Sequence, residues 1–163
     1  MIHQTPAALA RTIERHLEEV NQLASVLSRA PAETMVGTTW DLRKTVAHLL
    51  AWTREFVQEI EFVRDNPGAT VPWTITTGID YSDWNRARIR ELADQPYSAL
   101  VRQWVDEAGF LAATVKNCTA DELRNVCRLP WESQKGNIPT IATAWIQHER
   151  QHTRNIRMSL GRV

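Results

Sequence analysis

His148 and His152 stand four residues apart in a segment, from about Pro139 to Leu160, whose apolar residues recur at helical spacing. At about 100° per residue, Ile141, Trp145, His148, His152, Asn155 and Ser159 fall within one narrow sector of that helix. This sector should enter a core, yet its second half is polar. One histidine on an apolar face is ordinarily a core residue satisfied by a hydrogen bond. Two at i and i+4 set their imidazoles side by side, able to converge on one ion. Imidazole suits zinc, nickel, copper and iron, so the pair points to a divalent metal ion, zinc or nickel first.

Two nitrogens make a weak site, and His48 is the best candidate for a third ligand. It lies about 120° from the centre of the apolar stripe of its own helix, on an edge shared with Thr45, Trp52, Glu55 and Glu59. That line reads as one wall of a cleft; standing alone, His48 would read as part of an ordinary solvated flank. Three histidines leave a fourth coordination position for water, a thiolate or a substrate oxygen, the arrangement of catalytic rather than structural zinc. Trp52, Glu55, Trp84, Asn85 and Trp145 are the expected pocket lining, with helix packing as their plainer explanation. His16 falls on the inner stripe of the first helix, where a bond to a neighbouring carbonyl explains it better than ligation. His3 precedes the first helix and ligates nothing reliably.

The string from His148 to His152 also satisfies HExxH, the helical zinc-protease motif. The protease reading fails because such enzymes take a third ligand downstream. Only eleven residues follow His152, and none is His, Glu or Asp. Glu149 sits about 80° off the inner face, at its margin.

Four long segments with helical periodicity must position these residues: Pro6 to Arg29, Leu42 to Asp65, Tyr97 to Asn117, and Pro139 to Leu160. Thr5-Pro6 and Asp41 are suitable N-terminal caps, and Asn66-Pro67-Gly68 closes the second helix. A shorter helix is expected from Ser82 to Leu92, and Thr119 to Glu122 looks like a capping box. Strand signals are nearly absent; Thr70 to Ile79 alone is β-branched, interrupted by Pro72 and Gly78. The simplest architecture is all-α, an antiparallel four-helix bundle with short extra helices, formed by residues 1–163 as one domain. The connection from Asn66 to Asp80 is long for a bundle; a covering or functional loop and a merely variable surface loop explain it equally well.

With 163 residues, 43% of them hydrophobic and 23% charged, the chain can bury a sizeable core. Nineteen basic and nineteen acidic residues cancel, which argues against nucleic acid or an anionic membrane as a partner. No apolar run is long enough for a membrane span, and no secretory signal is visible. Two cysteines without CxxC spacing fit a reduced, cytoplasmic protein. Each of the seven tryptophans is explained by the large area it buries in a helical core, while together they are in part an argument for a helix–helix interface and a homodimer.

The run from Trp40 through His48 to Trp52 resembles the opening of the second helix in DinB-like proteins, with Lys44 where an acid is frequent. His148 to Arg157 resembles their closing H-x-x-x-H-x-x-x-I-R helix, and Asp80 to Asn85 the D-x-x-x-x-N segment of the colibactin-resistance-type branch. The resemblance implies a four-helix bundle, frequently dimeric, with a metal-binding triad at His48, His148 and His152. It further implies a small-molecule substrate and chemistry of the kinds known in the family: thiol-dependent S-transfer or isomerisation with a low-molecular-weight thiol, or hydrolysis, in stress and detoxification. A non-catalytic protein that sequesters a small molecule or a metal has the same needs, and a structural dimer with a vestigial site is the third reading.

Overall fold

Four of the five helices begin where a side chain supplies the first turn with the acceptor it lacks. The hydroxyl of Thr5 accepts from the Ala8 amide at 3.2 Å, and Pro6 follows at the first position, where a missing N–H costs nothing. Asp41 accepts from the Lys44 amide at 2.8 Å, and Asp80 from the Ser82 amide at 3.2 Å. Asn137 and Thr140 cap each other reciprocally. The computed structural model describes residues 5–72, 80–129 and 135–161, and these caps open four of its helices. The helices are α1 (Pro6–Leu27), α2 (Leu42–Asp65), α3 (Tyr81–Leu92), α4 (Tyr97–Lys116) and α5 (Ile138–Leu160). Two small antiparallel hairpins join them: β1 (Met35–Val36) with β2 (Trp40–Asp41), and β3 (Cys127–Arg128) with β4 (Lys135–Gly136).

The all-α architecture expected from the sequence is present, with α1, α2, α4 and α5 as its long members. Their directions follow from which residues meet. Thr53 reaches Glu149 and His48 reaches His152, so α2 and α5 run antiparallel. Arg43 meets Gln95 while Arg54 meets Gln103 and Glu107, so α2 and α4 run parallel. His16 meets Glu149 and the Glu19 backbone meets Arg157, so α1 and α5 are parallel as well. A parallel pair needs a return connection along the bundle. That requirement accounts for the long segment between α2 and α4, in which α3 packs back along α2. Gly68 begins the return in a left-handed backbone conformation (φ 84°) open mainly to glycine.

Because α4, α5 and α3 all lie against it, α2 is buried nearly all round, with sixteen of its 24 residues inside. The line Thr45, His48, Trp52, Glu55 and Glu59 is therefore interior, not a solvated flank. The core continues through Leu9, Ile13, Val20 and Leu23 of α1, Leu100, Trp104, Ala108 and Leu111 of α4, and Ile141, Trp145 and Ile156 of α5. Thr119 and Glu122 form the expected capping box before a single 3₁₀ turn, Glu122–Arg124. Thr70 makes one isolated bridge to Arg128. The rest of the β-branched stretch from residue 73 onward, with Trp73, lies outside the described residues, as do Trp131 and His3. No helix among the described residues is long and apolar enough to cross a membrane.

Candidate metal centre

The antiparallel crossing of α2 and α5 sets His48 against the i, i+4 pair on α5. The Nε2 of His48 lies 3.1 Å from that of His148 and 3.2 Å from that of His152. Ligand atoms from all three lie within 4.8 Å of one another, the sole such group of His, Cys, Asp or Glu among the described residues. A tetrahedral ion with nitrogen ligands at about 2.0–2.1 Å requires nitrogen–nitrogen separations of about 3.3 Å. The spacing of the three rings therefore fits a first-row divalent ion.

Burial and charge favour the same use. His48 is 4% exposed, and its imidazole is held down at about 2, first by burial and then by the neighbouring His148 and His152. His148 is pushed down to about 3 by burial and by His152. Burial lowers His152 too, against a smaller pull from Glu149. At neutral pH the rings are uncharged, the form in which imidazole offers a lone pair to a metal. The Nδ1 atoms of His48 and His148 are buried without a hydrogen-bond partner. The rings are oriented by aromatic packing instead. Trp40 lies 4.8 Å from His48 and stacks over His152 at 6.4 Å with planes 16° apart. Trp52 packs on His148 at 5.3 Å, and Phe56 on the same ring at 6.2 Å.

Beside His152 opens a cavity of about 470 Å³. Its walls are Val36, Thr38, Thr39 and Trp40 from the first hairpin, Thr45 of α2, Ser82, Asn85 and Arg86 of α3, and His152 and Asn155 of α5. Arg86 is ion-paired with Asp83. The lining is thus rich in hydroxyls and amides, with one cation and no carboxylate among its described residues.

The expected pocket residues divide. Asn85 lines this cavity and accepts from the Trp52 indole at 2.9 Å. Trp84 packs against Trp52 at 4.7 Å, so both support the wall next to the histidines. Glu55 faces a separate cavity of about 190 Å³ with Arg54, Gln58, Trp84, Arg88 and Glu91. Trp145 is fully buried and stands edge-on to His16 at 4.8 Å, in the core rather than at the cavity. His16 bonds a carboxyl group, not a carbonyl: its Nε2 lies 2.9 Å from Glu149 Oε2. Glu149 is not marginal but 0% exposed, and it also accepts from Thr53 and Trp104. Its carboxyl is thus engaged by α1, α2 and α4 rather than left free at the helix margin. Lys44 points outward towards Asp41. Sequence reasoning missed Trp40, Thr38, Thr39, Ser82 and Arg86 as parts of the site. For Trp40 a signal existed, since it opens the same motif that carries His48. For the hairpin threonines there was none, because two-residue strands leave no period.

A four-helix bundle with an inward histidine triad beside a polar cavity defines the class of protein. A family model for the DinB superfamily matches residues 4–156, and the chain belongs to that superfamily. No curated protein matches it. Among solved structures it is similar to YfiT of Bacillus subtilis, described as a probable metal-dependent hydrolase with an unusual four-helix bundle topology. That pair shares 12% identity over 99% of this chain and 89% of YfiT, with a TM-score of 0.75. An uncharacterised protein of Escherichia coli UTI89 is 16% identical over 96% of this chain and 95% of its own, TM-score 0.65. A Streptococcus pneumoniae protein is 12% identical over 97% and 93%, TM-score 0.68.

Proposed function

We propose that the protein is a metal-dependent enzyme acting on a small polar molecule, and that hydrolysis is its reaction. One observation carries the reading: three neutral imidazoles converge on one point at ion-ligand spacing, next to a cavity of about 470 Å³. His48, His148 and His152 would hold one divalent ion, zinc or nickel. Bound there with a position left open, the ion supplies Lewis acidity and lowers the pKa of whatever small nucleophile it takes. The chain's own groups do the rest. Trp40 and Trp52 exclude water from one side of the rings, while the amides of Asn85 and Asn155 and the hydroxyls of Thr38, Thr39, Thr45 and Ser82 bind and orient a polar substrate. Arg86, already paired with Asp83, adds N–H donors at the edge of the cavity. Hydrolysis is placed first because YfiT, with the same fold, is described as a probable metal-dependent hydrolase.

Thiol-dependent S-transfer is the second reading, and the cysteines bear on it. Cys127 is buried within β3, and neither cysteine lines the cavity, so a thiol substrate would have to be a free low-molecular-weight one. The test uses cobalt-substituted protein and a panel of cellular thiols. A sulfur-to-cobalt charge-transfer band on thiol addition favours S-transfer, since cobalt accepts the ligands zinc does. No band with any thiol, together with multiple turnovers on ester or amide substrates, supports hydrolysis. Stoichiometric binding of such compounds without turnover overturns both and leaves a sequestering protein.

A further inference from the structure

We propose that Glu149 is the positioning residue of the triad: its buried carboxyl ties α5 to the other three long helices and so sets the rotation at which His148 and His152 meet His48. The proposal deepens the metal-site reading given above and rests on it. Thr53 of α2 donates to Glu149 Oε1 at 2.8 Å, the Trp104 indole of α4 donates to the same oxygen at 2.7 Å, and His16 of α1 lies 2.9 Å from Oε2. Thr53 has a second acceptor, the Leu49 carbonyl at 2.8 Å, so its single hydrogen is shared between that carbonyl and Glu149. Glu149 is 0% exposed and His16 1% exposed, which makes every one of these bonds costly to leave unmade.

The triad needs such a device because two of its three rings, His48 and His148, bury an outer nitrogen that has no hydrogen-bond partner. Metal-bound histidines usually donate their outer nitrogen to an acceptor, whereas the Nδ1 atoms of His48 and His148 have none. Their convergence therefore depends on where the helices hold them. A ring nitrogen stands roughly 7 Å from its helix axis, so a rotation of about 10° moves it about 1 Å. Displacement beyond about 0.5 Å already spoils a constellation of this kind. Glu149 follows His148 directly in the chain. A carboxyl anchored there on three other helices acts on α5 rotation at the point where precision is needed.

The test compares cobalt or zinc affinity, by competition with a chromophoric chelator, with the thermal stability of the metal-free protein. The variants are Glu149→Gln, Glu149→Leu, Thr53→Val and Trp104→Phe, and Ile156→Val serves as a core control. Thr53→Val and Trp104→Phe are mild enough to keep the fold and each should weaken affinity by about 10-fold or more. Glu149→Gln keeps an oxygen for Thr53 and Trp104 and should retain most of the affinity that Glu149→Leu loses. Ile156→Val should lower stability without touching affinity. In parallel, the ring signals of His148 and His152 are followed by NMR in the metal-free variants, and they should shift in Thr53→Val and Trp104→Phe. Unchanged affinity and unchanged ring signals in those two variants overturn the proposal, as does an affinity loss in Ile156→Val equal to theirs. Should the wild type bind no metal, the metal-site reading fails, and the metal-free ring signals alone decide whether Glu149 positions the histidines.

Discussion

The metal-stripped protein should be most stable near pH 6.5 and lose stability on both sides, for opposite reasons. His48 titrates at about 2 and His148 at about 3 in the fold, against about 6.5 in an unfolded chain. Below 6.5 the unfolded chain takes up protons that the folded one refuses. Each of the two groups then costs about 1.4 kcal/mol per pH unit, or about 4 kcal/mol together at pH 5. Glu59 works the other way. It is 2% exposed with both oxygens lacking a hydrogen-bond partner, and burial, then Glu55, raises its carboxyl to about 9. Between its unfolded value of about 4.5 and that point, the fold keeps a proton that the unfolded chain releases, so stability falls as pH rises. At pH 5 its opposing slope returns about 2 of the 4 kcal/mol lost through the histidines, and above pH 6.5 it acts alone. Glu59→Gln should therefore stabilise the protein by on the order of 3 kcal/mol at pH 7, with the gain vanishing near pH 4.5. Urea denaturation of both proteins in chelator, from about pH 4.5 to 8.5, reads these slopes directly. Wild-type stability that keeps rising from pH 6.5 to 8.5, or a Glu59→Gln gain that does not change with pH, would refute the reasoning.

Three further outcomes are expected. Cys127 is 1% exposed and pushed up to about 11 by burial, so a thiol reagent at neutral pH should label at most the half-buried Cys118, and Cys127→Ala should leave the labelling count unchanged. At Gly136 an added Cβ would collide with the side chain of Leu129; Gly136→Ala should cost about 1 kcal/mol or more in a thermal melt, and Leu129→Ala in the same chain should remove that penalty. Light scattering at low micromolar concentration should show two copies of the 18.7 kDa chain, and a particle of single-chain mass would contradict the homodimer.

The helices were legible because their signals are local. Leu42–Asp65 is the range expected from its period, its Asp41 cap and its closing Asn-Pro-Gly. The first helix ends at Leu27, two residues before the expected Arg29, and α5 starts at Ile138, one residue earlier than expected, because Asn137 caps it. The histidine pair was legible for the same reason: i and i+4 share a helix face whatever lies opposite. What α2 meets could not be read so. A helix covered on three sides buries residues that a single stripe leaves outside, so Thr45, His48, Glu55 and Glu59, read from the sequence as one wall of a cleft, lie inside. The direction of Glu149 is likewise a matter of where α1 and α4 stand, and no period in α5 reveals that Trp104 and His16 wait for it. Trp145, on the same sector as the histidines, belongs to the core because that end of α5 faces α1 rather than the cavity.

Metal content of the purified protein tests the central claim most directly. Elemental analysis should find about one zinc or nickel ion per chain, the stoichiometry a single three-histidine site allows. His48→Ala, His148→Ala and His152→Ala should each empty the site at equal protein concentration. His16→Ala, which removes one strand of the Glu149 tie and no ligand, should retain most of the metal. A wild-type protein that stays empty under added zinc and nickel would contradict the account, and so would a site emptied by His16→Ala but filled in His48→Ala.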